Sequence, residues 1–189
     1  MMKAKLALLA SGTGTNVRNI IAHFDGHDAI LVDCVIANKP EAGALNFGLE
    51  KDIDTFVFSK GEFNDGSVLE LLKERGVTHV VLAGFLLMIP KDIVAHYEDR
   101  ILNIHPALLP SYGGKGMYGM NVHNAVYENK ESVSGITIHL VNEEYDKGRV
   151  LAQFEVNVEG EDPDGISSKV RELEQKYFPG VIEDYLTNN

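Results

Sequence analysis

Asn103 and His105 stand two residues apart at the end of a short apolar run, Ile101-Leu102-Asn103-Ile104-His105-Pro106. In a strand, alternation puts both side chains on one side. Pro106 disfavours a helical conformation for His105, so the chain stays extended up to that point. A primary amide donates hydrogen bonds without carrying charge, and an imidazole changes protonation near neutral pH. Together they can steady a developing negative charge and carry a proton. The carboxyl end of a strand is also where open α/β sheets bind ligands.

A second signal is Ser11-Gly12-Thr13-Gly14-Thr15-Asn16, which follows an apolar strand and opens a helix. Glycines there permit a tight turn, and free N–H groups at a helix start face an anion. The reading is a phosphate-binding loop, with a plain strand-to-helix turn as the alternative. A full dinucleotide site is disfavoured. Asn16 and Val17 occupy the place of the third glycine, and the second strand ends in Asn38-Lys39 without an acid for a ribose.

A third candidate lies in Asn142-Glu143-Glu144-Tyr145-Asp146-Lys147-Gly148. Glu143 and Glu144 read as solvated loop acids. Asp146 sits near a glycine at a hairpin tip, and residue chemistry alone leaves it undecided. Arg171, Glu172 and Glu174 read by default as the solvated face of a last helix. His23, His27, His79 and His96 stand alone and read as structural or surface groups. His123 and His139 can approach the site, but no Cys, Asp or Glu spacing around them resembles a metal set, so no metal is expected.

The elements that must position these groups alternate. Leu6–Ala10, Ala29–Ala37, Thr55–Ser59, His79–Ala83 and Arg100–Ile104 read as strands, being short, apolar and bounded by Gly, Asn or Pro. Between them lie helical stretches near Asn16–His23, Ala42–Lys51, Ser67–Arg75 and Pro90–Tyr97, and Gly76 stands where a helix C-cap glycine would. This alternation predicts a mainly parallel sheet with right-handed crossovers. Val133–Val141 and Val150–Val158 then read as a long hairpin, making the sheet mixed. A last helix is expected over Ile166–Tyr177, broken before Pro179. Tyr112–Gly119 is a glycine-rich loop suited to a lid or a binding loop.

The 189 residues fit one α/β domain, 1–189, with a sizeable core. A formal net charge of −11 argues against a broad nucleic-acid surface, which needs a basic footprint. Cys34 is the single cysteine; it reads as a buried core residue and fits a reducing, cytoplasmic setting. The apolar part of Met1–Ala10 is too short for a signal peptide, and no stretch approaches the ~18 apolar residues of a membrane span.

Taken together, Ser11–Asn16, Val80–Phe85, Leu102–Pro110, Ser134–His139, Asp146–Gly148 and the Val170–Pro179 helix resemble the glycinamide ribonucleotide formyltransferase family. The Asn-x-His-Pro…Leu-Leu-Pro signature with its later Asp is the most specific part. The resemblance implies a Rossmann-like fold, a mostly parallel central sheet with a C-terminal antiparallel hairpin and flanking helices. It implies 10-formyltetrahydrofolate as cosubstrate, small-molecule substrates as partners, and a monomer or homodimer. Asn103, His105 and Asp146 match the family's catalytic trio. Gly14, Thr15 and Asn16 match the loop for the substrate phosphate, and Gly84 and Pro106 the glycinamide side. Arg171, Glu172, Leu173 and Glu174 match the segment that contacts the ribonucleotide. Leu86, Leu87, Met88 and Ile89, with Val141, Asn142, Glu143, Glu144, Tyr145, Asp146 and Asn103, would wrap the pterin. The resemblance also implies a cis Leu109-Pro110 bond. Three departures stand out: Leu86-Leu87 replaces a frequent basic residue, Phe63–Ser67 lacks a usual arginine, and Tyr112–Gly119 is longer than the family loop. Relatives acting on other acceptors usually carry an added domain, for which this length leaves no room.

Overall fold

A computed structural model describes residues 4–188. Its centre is a seven-stranded sheet in the order β3-β2-β1-β4-β5-β6-β7. The strands are β1 (Ala4–Ala10), β2 (Ile30–Ala37), β3 (Asp54–Val57), β4 (His79–Leu82), β5 (Ile101–His105), β6 (Val133–Leu140) and β7 (Val150–Asn157). The first five pair in parallel. β6 runs antiparallel to β5, and β7 antiparallel to β6. The mixed Rossmann-like sheet expected from the sequence is the one observed.

Alternation along β1 divides the core into two layers. Leu6, Leu8 and Ala10 face helices α1 (Thr15–Phe24), α2 (Ala44–Leu49), α6 (Met120–Glu128) and α7 (Pro163–Thr187). Ala7 and Leu9 face α3 (Lys60–Asn64), α4 (Ser67–Glu74) and α5 (Lys91–His96). Because both faces are covered, β1 reads as a continuous apolar run. Cys34 lies fully buried in the second layer, where burial pushes its thiol up to about 12.

Asp33, in the middle of β2, has a local cause. The register between β1 and β2 slips between Leu6 and Ala7, leaving Asp33 as the extra residue of a bulge. Its carboxylate meets Lys5 Nζ at 2.9 Å and Arg75 Nε at 2.5 Å. The bulge turns an acid that would break an apolar strand into the anchor of an ion-pair cluster.

The last helix corrects an expectation. It does not break before Pro179 but continues through it to Thr187. Proline removes the N–H that would bond the carbonyl four residues back. That carbonyl, Gln175 O, accepts instead from Asn19 Nδ2 of α1 at 2.6 Å. A neighbouring helix thus supplies the missing donor. Two short helices, α3 and α6, went unread in the sequence. Ser59 and Glu62 form a capping box before α3, a signal present in the residues themselves. In α6 only Val122, His123 and Val126 are buried, too narrow a stripe to stand out after a glycine-rich loop.

Candidate active site

Strand order reverses between β1 and β4, which lie side by side with their connections leaving in opposite directions. At such a switch point a crevice opens beyond the carboxyl ends of the strands. Here the loops after β1 and β4 are tied together: Ser11 N–H donates to Gly84 O at 3.1 Å, and Leu86 N–H donates to Ser11 Oγ at 2.9 Å. Above them lies a cavity of about 690 Å³. Its wall includes Gly12, Asn16, Gly84, Asn103, His105, Pro106, His123, His139, Asp146, Arg171 and Glu174.

β5 carries Asn103 and His105 into this cavity, as strand alternation requires. Asn103 is half-buried and His105 is buried. Asn103 Nδ2 lies 3.0 Å from His139 Nε2, across the β5–β6 pair that sets the two residues opposite each other. His139 Nδ1 lies 2.8 Å from Leu140 O. That carbonyl can only accept, so the proton sits on Nδ1 and Nε2 accepts from Asn103. The tautomer follows from the hydrogen-bond network.

Asp146 completes the cluster from the β6–β7 connection. Its Oδ2 lies 3.6 Å from His105 Nδ1, and its Oδ1 lies 3.6 Å from His139 Nε2. The same Oδ2 accepts from Gly114 N–H at 2.9 Å, and His105 Nε2 donates to Tyr112 O at 2.8 Å. Burial pushes the Asp146 carboxyl up, but the Gly114 N–H and the His139 and His105 rings, each where it carries a proton towards the carboxylate, outweigh it, so the group is held below the usual carboxylate range. For His105 the balance runs the other way. Burial pushes the imidazole down and outweighs the pull of Asp146 and of the Tyr112 carbonyl. The charged form of His105 is therefore not favoured in the free protein.

One end of the cavity is polar. Asn16 Nδ2 donates to Glu174 Oε2 at 2.9 Å, while Asn16 Oδ1 is buried without a hydrogen-bond partner. Burial pushes the Glu174 carboxyl up. Arg171 lines the same end, and no side chain caps the start of α1. Gly14 and Thr15 stand at that helix start but do not line the cavity. Gly14 instead packs against α2, where an added Cβ would meet Ala44 Cα at 2.3 Å. Glu172 and Leu173 also lie outside the lining; Leu173 packs against the core.

The other end is apolar, with Leu82, Leu86, Leu87, Met88, Ile89 and Val141 in the wall, joined by Asn142, Glu144 and Tyr145. Glu143 lies outside it and pairs with Lys91 at 2.8 Å, while Glu144 pairs with Lys147 at 2.6 Å. Leu109-Pro110 is cis, as the resemblance implied. Among the described residues, no group of three or more His, Cys, Asp or Glu side chains could hold a metal ion, and no helix is long and apolar enough to cross a membrane. Two further histidines belong to the site. His139 buttresses Asn103, and His123 is buried in the wall with Nδ1 unpartnered. Register opposite Asn103, once the β6 strand is read, is the signal that finds the first.

A model of the formyl transferase family matches residues 4–182. A chloroplastic phosphoribosylglycinamide formyltransferase from Arabidopsis thaliana is 42% identical over 95% of the chain, which spans 64% of that relative's length. The phosphoribosylglycinamide formyltransferase of Haemophilus influenzae is 33% identical, over 95% of this chain and 85% of its own. Among solved structures, phosphoribosylglycinamide formyltransferase from Anaplasma phagocytophilum superposes with a TM-score of 0.90 at 29% identity, covering 98% of this chain and 88% of that one. Those matches, with the sheet order and the clustered Asn103, His105 and Asp146, place the chain in the formyl transferase family.

Proposed function

We propose that this protein is a formyltransferase that moves the formyl group of 10-formyltetrahydrofolate to the amine of 5'-phosphoribosylglycinamide, a step in building purines, in the cytoplasm. The observation that carries the reading is the convergence of Asn103, His105 and Asp146 on one cavity with a polar end and an apolar end. The polar end, with Asn16, Arg171, Glu174 and the uncapped start of α1, suits a ribose phosphate. The apolar wall of Leu86–Ile89 and Val141 suits a planar ring.

The chain's residues then divide the work. Asn103 keeps one amide N–H on His139 and has a second for the formyl oxygen, where negative charge collects as the amine attacks. One such donor is worth ~3 kcal/mol in the transition state. Asp146, ionised, takes the proton that the attacking amine loses, with His105 Nδ1 beside it to share that proton. The leaving folate nitrogen must gain a proton, so the Asp146–His105 pair can return the one it took. No covalent intermediate on the protein is required.

The test is direct. Purified protein is mixed with 10-formyltetrahydrofolate and phosphoribosylglycinamide, and the absorbance of the released folate is followed. The reading expects folate release that depends on the ribonucleotide. Release with water alone, giving formate, or no release at all would overturn it.

A further inference from the structure

The glycine-rich Tyr112–Gly119 segment touches both of the groups that handle the proton, and it does so with its main chain. We propose that this loop is a positioning device, in which the Gly114 N–H fixes the Asp146 carboxylate and the Tyr112 carbonyl fixes the His105 ring. The inference rests on the functional reading above, since it concerns how that centre is held.

Asp146 needs such help. It stands in the connection after β6 at φ 54, in left-handed backbone away from the regular ladder. The loop comes to it closely. A Cβ on residue 113 would lie 2.6 Å from Leu109 Cδ2 and 3.4 Å from Asp146 Cβ, so a side chain there would have to push the Leu109 methyl aside. The next residue, Gly114, adopts φ 96 and gives its N–H to Asp146 Oδ2 at 2.9 Å. The loop itself is anchored at both ends. Tyr112 OH donates to Glu131 Oε1 at 2.7 Å and accepts from Asn129 Nδ2 at 2.9 Å. Asn121 Nδ2 donates to Gly116 O at 2.9 Å.

The arrangement has a chemical consequence. With Nε2–H committed to Tyr112 O, the neutral His105 ring presents the Nδ1 lone pair to Asp146 Oδ2, 3.6 Å away. A lone pair and a carboxylate then face each other with no proton between them. The proton that leaves the attacking amine fills that gap, and an imidazolium there has an acceptor on each nitrogen. The loop thus makes a proton vacancy at the point where the reaction releases one.

Gly116 provides a matched control. Gly114 and Gly116 have φ values of 96 and 89, and an added Cβ meets nothing within 4 Å at either. Only Gly114 donates to Asp146. Gly114→Ala is therefore expected to move the acid limb of the kcat/KM–pH profile upward by about one unit, the size of one hydrogen bond to a charged group. Gly116→Ala leaves that limb in place. In an Asp146→Asn background, Gly114→Ala should cost little further activity, because the partner charge is gone. Equal profiles for the two alanine variants, or the full loss repeated in the Asp146→Asn background, would overturn the inference. Should Gly114→Ala fail to fold, Tyr112→Phe removes the loop's anchor and is expected to move the limb the same way; an unmoved limb counts against the loop. Full turnover in Asp146→Asn alone would instead overturn the functional reading.

Discussion

Asn103 and His139 face each other across the β5–β6 pair, with the amide donating to a histidine whose other nitrogen is locked on Leu140 O. The contact determines which way the amide points. An amide left free to flip would spend part of its time offering its oxygen to a developing oxyanion, which repels it.

His139→Ala should therefore lower kcat about ten- to a hundredfold with little change in KM, since the loss falls on a positioned transition-state donor. His139→Gln keeps an acceptor in reach of Asn103 and should restore part of the rate. Steady-state kinetics of the two variants check this. A pure rise in KM would assign His139 to substrate binding instead.

The titration of His105 carries a sign. Burial lowers its pKa from 6.5, and Asp146 opposes that shift. Removing the charge in Asp146→Asn removes a raising influence, so the imidazole should titrate lower still. Its ring proton resonances, followed against pH in both proteins, report this. A higher value in the variant would mean that Asp146 is not the charge His105 senses.

Asp33 is a stability site rather than a reactive one. Its carboxylate is nearly buried, while Lys5 and Arg75 keep a quarter to a third of their side chains in solvent. Those cations can rehydrate when the acid is lost, so Asp33→Ala should cost about 1–3 kcal/mol, less than a fully buried pair. A urea titration with an unchanged slope and a lower midpoint measures it.

The proline in α7 offers a cycle. Asn19→Ala strips the donor from Gln175 O and should cost about 1 kcal/mol. In a Pro179→Ala background the backbone N–H of residue 179 takes that carbonyl, so Asn19→Ala should cost less. Equal costs in the two backgrounds would show that the Asn19 bond does not stand in for the missing one.

Much of this was legible in the residues. Strand-end alternation placed Asn103 and His105 correctly, and the β/α rhythm foretold the parallel sheet. Asp146 was not decidable that way, because its position depends on how a loop folds back after β6. Gly14, Thr15, Glu172 and Leu173 match family segments, yet they are not among the residues whose atoms line the cavity. Neighbouring positions on a helix point in different directions, and a linear motif does not say which. His139 was hidden because its partner lies 36 residues earlier and meets it only through strand register. Pro179 misled for a similar reason: the donor that lets the helix pass comes from another helix.

In the proposed formyl transfer Asn103, His105 and Asp146 act together, and Asp146 comes from the β6–β7 connection rather than from a strand end. The most direct test is the rate of formyl transfer in Asp146→Asn under saturating 10-formyltetrahydrofolate and phosphoribosylglycinamide, with binding of each measured separately. The account predicts a fall in kcat of about 10²–10⁴-fold, the range of general acid–base catalysis, with both ligands still bound. Turnover near that of the unmodified protein would contradict it.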